Sequence, residues 1–232
     1  MVDLDAAWVG EDVWALRPDY AACLVAAVGI HGGPSDDASD AALAEAEERA
    51  RAVAAAGPIE AQPRLAQWRE AFRAFGVRPR SAVSSVESLL RRAAGGLPRI
   101  DRLTDHYNAI SVAHLVPFGG EDLDRYAGPP RLVRATGEEH FDVLEGGVVV
   151  DSAPKPGEVV WRDDAGVTCR RWNWRQCART RLTPQTRNAF YVIDGLGTSA
   201  AEDVSAAGAD LVALLRSGSP DADVRIRVIT RG

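Results

Sequence analysis

The spacing of apolar residues predicts a strand and two helices in the N-terminal third of the chain. Residues 20–30 are almost continuously apolar and end at the turn-forming sequence His31-Gly32-Gly33-Pro34, as expected for a buried strand. An Ala- and Glu-rich helix is expected over residues 35–56, because acidic residues at its start stabilise the positive end of a helix. A second helix is expected over residues 63–76, since its large apolar side chains fall on one side. They are Leu65, Trp68, Phe72 and Phe75.

From residue 77 onward the pattern changes to two further helices and then to strands. Ser84 and Glu87 have the spacing of a capping box and predict a helix that ends at Gly95-Gly96. After Pro98, apolar residues recur at helical spacing as far as Ile110, which predicts another helix. Beyond Pro117 we expect strands over 131–135, 158–161, 167–175, 189–194 and 224–229, a hairpin turn at 163–166, and a helix from 199 to 216 with a second capping box, Ser199 and Glu202.

These elements together indicate an α+β fold with a β-rich core of mixed or antiparallel strands and flanking helices. We expect one domain. Residues 1–76 would contribute a strand and a helical lid, and residues 77–232 the main body.

Composition places the chain among ordinary globular proteins. It has 232 residues, 46% of them hydrophobic, and a formal net charge of −6. The N-terminus lacks a cationic leader, and the longest apolar run, residues 21–30, is too short to span a bilayer, so no membrane partner is expected. Three cysteines without metal-type spacing favour a reducing cytoplasm. An acidic pI near 5.3 argues against a general nucleic-acid coat and against a DNA partner, but it allows a local contact with folded RNA.

Residues 165–193, here called the cationic segment, contain six arginines and no Asp or Glu. The arginine guanidinium group donates paired hydrogen bonds to phosphate, and tryptophan offers a face on which bases can stack. This segment is therefore a candidate RNA-binding surface. The alternative is a solvated strand whose tryptophans pack inward. On a continuous strand over 167–175, Cys169, Arg171, Asn173 and Arg175 would share one face, and Arg170, Trp172 and Trp174 the other. Packing in the core is the favoured interpretation of both tryptophans. The candidate RNA-binding residues are Arg170, Arg171, Arg175 and Arg179.

Common catalytic and cofactor motifs are missing from the sequence. The four histidines are dispersed, no Cys-x-x-Cys or His-x-His pair occurs, and we expect no metal site. Gly-Gly pairs lack a Walker lysine and a strand–turn–helix context, so we expect neither a phosphate loop nor a bound cofactor. Cys169 is expected to be a buried structural cysteine rather than a nucleophile.

Three motifs resemble a known family when they are taken in order. They are Pro98-Arg99-Ile100-Asp101-Arg102-Leu103-Thr104-Asp105-His106-Tyr107-Asn108, then Val116-Pro117-Phe118-Gly119-Gly120-Glu121-Asp122-Leu123-Asp124, then Cys169-Arg170-Arg171-Trp172-Asn173-Trp174-Arg175-Gln176. They resemble the tRNA-editing B3/B4 domain of the phenylalanyl-tRNA synthetase β subunit, and more closely the free-standing bacterial proteins built on that domain. The similarity covers roughly residues 78–194.

The resemblance implies a β-rich α+β fold with a pocket that, in the synthetase, hydrolyses tyrosine wrongly attached to the tRNA for phenylalanine. Arg102 and Asn108 match pocket positions of the family, and Tyr107 replaces a family threonine. Gly119 lies where the synthetase domain carries its editing histidine, and Asp194 matches an editing glutamate in a shifted register.

Ester hydrolysis requires a positioned water and stabilisation of the developing oxyanion. We therefore expect catalytic roles for Asn108, His114 and Asp194, with His114 as the nearby titratable substitute for the missing histidine. The expected substrate-binding residues are Arg102, Tyr107, Pro117, Phe118, Gly119 and Gly120.

Two functions follow from the resemblance. The first is an aminoacyl-tRNA deacylase that acts in trans on the aminoacylated 3′ end of a mischarged tRNA. The second is a non-catalytic module that binds tRNA or a small amino-acid-like ligand, and the absence of the editing histidine favours it. No adenylate-forming or ATP-binding motif occurs, so aminoacylation itself is not expected.

Overall fold

The computed structural model describes residues 3–78 and 80–231. Their helices are α1 (Glu11–Leu16), α2 (Asp37–Ala55), α3 (Pro63–Ala74), α4 (Ser85–Arg92), α5 (Arg102–His114) and α6 (Ala200–Gly218). Their strands are β1 (Trp8–Val9), β2 (Ala21–Val28), β3 (Phe118–Asp122), β4 (Arg131–Arg134), β5 (Asp142–Glu145), β6 (Val148–Asp151), β7 (Val159–Arg162), β8 (Val167–Arg170), β9 (Arg175–Gln176), β10 (Asn188–Gly195) and β11 (Asp223–Thr230). The α+β fold predicted from the sequence is confirmed.

An antiparallel sheet with the strand order β11-β2-β10-β3 forms the centre of the molecule. Strand β2 lies between β10 and β11 and is buried along nearly its whole length, which explains its continuous apolar sequence. Residues 1–76 therefore supply an inner strand of this sheet as well as the helices α2 and α3. Strand β10 carries Asp194 opposite Ala22 and pairs on its other side with β3, where Gly119 lies opposite Val192.

A second sheet has the order β1-β4-β7-β8-β9 and is mixed, since β1 pairs with β4 in parallel and the other pairs are antiparallel. The predicted turn over residues 163–166 joins β7 to β8, and the Asp163 carboxylate accepts hydrogen bonds from the backbone N–H groups of Ala165 and Gly166. Strands β5 and β6 form a separate hairpin.

The helices cover both sides of the central sheet. Helices α5 and α6 contact each other and share one apolar cluster with Cys23 and Val25 of β2, whereas α3 belongs to the cluster that contains Leu24 on the opposite face of that strand. Asp101 caps α5 by accepting a hydrogen bond from the backbone N–H of Thr104 at 2.8 Å. Among the described residues, no helix is both long enough and apolar enough to cross a bilayer.

Neither of the two predicted capping boxes is complete, and only that at Ser84 forms a capping hydrogen bond. The Ser84 side chain accepts from the backbone N–H of Glu87 at 3.4 Å, but the Glu87 carboxylate forms ion pairs with Arg69 and Arg91 instead of returning to the cap. At α6 the Ser199 side chain makes no capping hydrogen bond and donates to Asp203. Tertiary partners therefore determine where these side chains bond.

The predicted continuous strand over 167–175 is wrong. Residues 171–174 form a turn in which Arg171 and Trp172 adopt left-handed backbone conformations, with φ of 48° and 67°. The turn rotates successive side chains out of strand alternation, so the predicted division into two faces does not occur. Trp172 is completely buried, whereas Trp174 is only half-buried at the surface.

Trp172 packs at the junction of the two sheets. Its ring centroid lies 5.1 Å from that of Tyr20 and 5.4 Å from that of Trp68, both in edge-to-face geometry. The same apolar cluster includes Leu132 and Trp161 of the second sheet and Phe190 of the central sheet. The left-handed turn therefore allows one side chain to link both sheets to helix α3.

We predict that Trp172→Ala lowers the free energy of unfolding by about 3–5 kcal/mol, because it leaves a cavity in this cluster. Urea denaturation followed by circular dichroism would measure the change. The matched control is Trp8→Ala, whose side chain is 47% exposed and whose loss should cost much less. Equal stability of the parent and Trp172→Ala would contradict the packing role.

Candidate functional site

A cavity of about 230 Å³ lies among helices α4 and α5, strands β3 and β10, and the turn over 171–174. Five of its lining residues are aromatic, and polar side chains line both its buried and its exposed ends. Lining residues are Ser85, Ser88, Leu89, Arg92, Pro98, Ile100, Thr104, Tyr107, Asn108, Phe118, Gly119, Glu121, Trp161, Cys169, Trp172, Asn173, Trp174, Arg175, Gln176, Val192 and Asp194.

Asp194 contributes a buried carboxyl group to this cavity. Its Oδ1 accepts a hydrogen bond from the Tyr20 hydroxyl at 2.6 Å, and its Oδ2 accepts from Asn173 Nδ2 at 3.2 Å. Burial disfavours the charged form and raises the pKa of Asp194 to about 7, although these hydrogen bonds act in the opposite direction. The group can therefore gain or lose a proton near neutral pH.

Three lining residues, Trp161, Trp172 and Asn173, hold buried polar atoms that lack a hydrogen-bond partner among the described residues. Only 7% of the Asn173 surface is exposed, and its Oδ1 atom accepts no hydrogen bond from the described residues. The Trp161 indole N–H lies close enough to Asp194 to lower that carboxyl's pKa, yet it makes no hydrogen bond of regular geometry. Buried polar atoms are normally paired, so the buried part of the cavity offers a donor and an acceptor to a ligand.

Glu121 is a second buried carboxyl in the cavity lining. The Tyr126 hydroxyl donates a hydrogen bond to it, and burial raises the pKa of Glu121 to about 7. The sequence does not single out this residue, because it lies in a short strand, β3, that the apolar pattern does not reveal. Cys169 also lines the cavity, and burial raises the pKa of its thiol well above the usual range, which favours the structural role expected for it.

The two glycines of β3 allow close packing around the site. A Cβ atom at Gly120 would come within 2.7 Å of Leu182 and 2.9 Å of Tyr107 and Tyr191. A Cβ atom at Gly119 would lie 3.0 Å from Nε2 of Gln176, which donates to the Gly120 carbonyl. The Gln176 amide therefore occupies the space into which a side chain at position 119 would extend.

Asn108 lies in the cavity lining and is 8% exposed. Its side-chain amide makes no hydrogen bond to any other described residue, so its donor and acceptor are free for a ligand. Tyr107 and Phe118 form an adjacent aromatic wall, with stacked rings whose centroids are 5.6 Å apart.

The structure does not bring every expected site residue to the cavity. Tyr107, Asn108, Phe118, Gly119 and Asp194 are among its lining residues. Gly120 and Pro117 lie beside it, and the Pro117 carbonyl accepts a hydrogen bond from the backbone N–H of Asp194.

Two expected residues, His114 and Arg102, lie elsewhere. The His114 Nε2 atom pairs with Oδ2 of Asp210 on α6 at 2.7 Å. The Arg102 guanidinium pairs with Asp36 at 2.6 Å and lines a different groove, together with His106. Each of the two is six positions from Asn108 on α5, or about 1.7 helical turns, and therefore belongs to another face. The structure therefore does not place His114 in the lining of this cavity.

The cationic segment does not form a continuous cationic face. Arg170 is buried and pairs with Glu158 at 2.8 Å, and Arg179 pairs with the fully buried Asp163 at 2.9 Å. Arg171 lies 3.5 Å from Glu158, whereas Arg175 is more exposed and lines the cavity, 3.7 Å from Glu145. Acidic residues from other parts of the chain thus partly neutralise the segment.

The cavity lining also includes residues that no sequence motif singles out as site residues, notably Ser85, Arg92, Glu121, Trp161 and Gln176. They come from separate elements, and no local spacing connects them. Within residues 3–78 and 80–231, no group of three or more His, Cys, Asp or Glu side chains is arranged to hold a metal ion.

We predict that Asp194→Asn becomes more stable relative to the parent as the pH rises from about 4 to about 7. The folded Asp194 carboxyl retains a proton in this window, whereas the unfolded carboxyl, with a pKa of 3.8, has released it, so this group contributes a loss of stability as pH rises. Urea denaturation at several pH values would measure the difference, with exposed Asp221→Asn as the control. A parent–variant difference that does not change with pH would contradict the prediction.

Comparison with known proteins agrees with the motif resemblance. The family model of the B3/4 domain matches residues 67–206. The fold is similar to an N-terminal fragment of the phenylalanyl-tRNA synthetase β-subunit from Pyrococcus horikoshii, with a TM-score of 0.53, 14% sequence identity, and coverage of 97% of this chain and 52% of that one. The chain thus spans about half the length of the fragment. A search of curated proteins finds no match. The family match covers more than half of the chain, which therefore belongs to the B3/4 domain family.

Proposed function

We propose that the chain is an aminoacyl-tRNA deacylase that acts in trans on mischarged tRNA. The observation that carries the proposal is a small cavity whose buried end holds Asp194 and Asn173, and whose lining includes the unpaired amide of Asn108. Its volume of about 230 Å³ lies below the 300–1,000 Å³ or so of drug-sized pockets and suits one amino acid. Exposed Arg92 and partly exposed Arg175 also line it, so its solvent end favours an anionic substrate.

The lining residues provide the groups that ester hydrolysis needs. An aminoacyl ester is already activated, so a positioned water and a donor for the developing oxyanion are sufficient. The Asn108 amide can donate to that oxygen. Asp194 and Glu121 have pKa values raised to about 7, which suits proton transfer from a water at neutral pH.

Family membership supports tRNA as the partner. The structurally similar fragment belongs to a phenylalanyl-tRNA synthetase β-subunit, and this chain covers only about half of it. We therefore assign tRNA as the substrate carrier. The proposal requires no cofactor.

The second candidate is a non-catalytic module that holds tRNA or an amino-acid-like ligand in the same cavity. It is favoured by the absence of histidine from the described lining residues, since His114 is paired with Asp210 on another face of α5. The Gln176 amide beside Gly119 also supports it, because an amide binds ligands but does not exchange protons.

A panel of tRNAs, each charged with a radiolabelled non-cognate amino acid, distinguishes the two candidates. The deacylase should release free amino acid from at least one of them at enzyme concentrations well below that of the substrate. A binding module should instead protect the ester from spontaneous hydrolysis and form a stoichiometric complex.

We predict that Asn108→Ala slows amino-acid release by about 10²–10³-fold, the range observed when an oxyanion donor is lost. His114→Ala is the matched control on the same helix and should leave the rate unchanged, because that side chain lies with Asp210. Single-turnover rates would measure both. Equal rates in the parent and Asn108→Ala would show that the reaction does not take place in this cavity.

A further inference from the structure

A second cleft adjoins the cavity and shares Trp174 with it. It measures about 650 Å³, and its lining includes Arg69, Arg80, Arg91 and Ser81, with Glu60 as the acidic residue of its wall. We call it the Trp174 cleft. Because Trp174 lines both spaces, a linear ligand whose end lies in the cavity could continue along this ring into the cleft.

The arginines around the Trp174 cleft carry more positive charge than the neighbouring acidic residues carry negative charge. Glu87 is completely buried and forms ion pairs with both Arg69, at 2.5 Å, and Arg91, at 2.8 Å. One carboxylate cannot neutralise two guanidinium groups. Arg80 is exposed and forms no ion pair with the described residues, so the cleft retains a net positive charge.

Trp174 lies at the junction of the two spaces, and two arginines lie near its ring. The Arg171 guanidinium lies over the indole at 4.2 Å from the ring centroid, and that of Arg175 lies at 5.9 Å. Arg171 also donates to the Ser81 carbonyl at 3.2 Å, which fixes this arrangement against the cleft wall. An aromatic ring stacked with guanidinium groups and flanked by further arginines suits an alternation of flat bases and phosphates.

We infer that the Trp174 cleft binds single-stranded RNA, namely the nucleotides that precede the aminoacylated terminal nucleotide. A base stacks against Trp174, and adjacent phosphates contact Arg80 and the exposed part of Arg91. This inference rests on the proposed function for the identity of the strand. An acidic peptide would use the arginines but would gain nothing from the ring, so the observations favour RNA.

The test is fluorescence anisotropy with a labelled, uncharged single-stranded RNA that ends in CCA. Trp174→Ala should weaken binding roughly 5- to 150-fold, the effect of losing one stacked base. Arg80→Gln should weaken binding and reduce the slope of log affinity against log salt by about 0.7, the value for one phosphate contact on a single strand.

Two control variants address charge and position. Arg216→Gln removes an exposed arginine on α6, and Arg181→Gln with Arg187→Gln removes exposed arginines of the cationic segment. All should bind RNA as the parent does. Thermal melting would check that the Trp174→Ala variant is folded. Because Arg80 is exposed, Arg80→Gln should not affect folding and tests the cleft independently of Trp174.

The outcomes separate this inference from the enzymatic proposal. RNA binding that depends on Trp174 and Arg80, without deacylation, supports the cleft and refutes the enzyme. Unchanged RNA binding in both variants overturns the cleft, even if deacylation is observed. An equal loss in the cationic-segment variant, or equally tight binding of a polyglutamate peptide, also overturns it.

Discussion

The burial of Trp172 is the packing interaction on which both the fold and the candidate site depend. The ring contacts Tyr20 of the segment before β2 and Trp68 of α3, and its cluster includes side chains of both sheets. Reaching this position requires the left-handed turn over residues 171–174. The same turn places Asn173 against Asp194 and Trp174 at the cavity edge. A core requirement therefore also determines the geometry of the polar groups that line the cavity.

The cavity keeps two carboxyl groups in surroundings that disfavour their charge. Tyr20 and Asn173 donate hydrogen bonds to Asp194, and Tyr126 donates one to Glu121. Burial nevertheless raises the pKa of each carboxyl group to about 7. Groups of this kind reduce stability when they ionise, and they are found where proton transfer or ligand recognition occurs. Such a site agrees with either candidate function, and turnover separates the two.

Charge in this protein is arranged by tertiary contacts rather than by sequence neighbourhood. The cationic segment has no acidic residue of its own, yet Glu158 and Asp163 pair with its arginines in space. Conversely, the Trp174 cleft collects arginines from α3, α4 and the loop before α4, which lie up to about twenty positions apart in the sequence. The surface that best suits a polyanion is therefore assembled from distant parts of the chain.

The sequence by itself determined the main elements and the family. The apolar run of β2, the helical spacing of α3 and α5, and the final strand β11 follow from local periodicity, and three motifs identified the B3/4 domain. It also selected Asn108 and Asp194, which line the cavity. It could not exclude His114 and Arg102, since the direction of a side chain depends on which face of α5 packs against its neighbours. Only the tertiary structure decided the turn at Trp172, the raised pKa values and the Trp174 cleft, because each depends on burial and contacts between residues far apart in the chain.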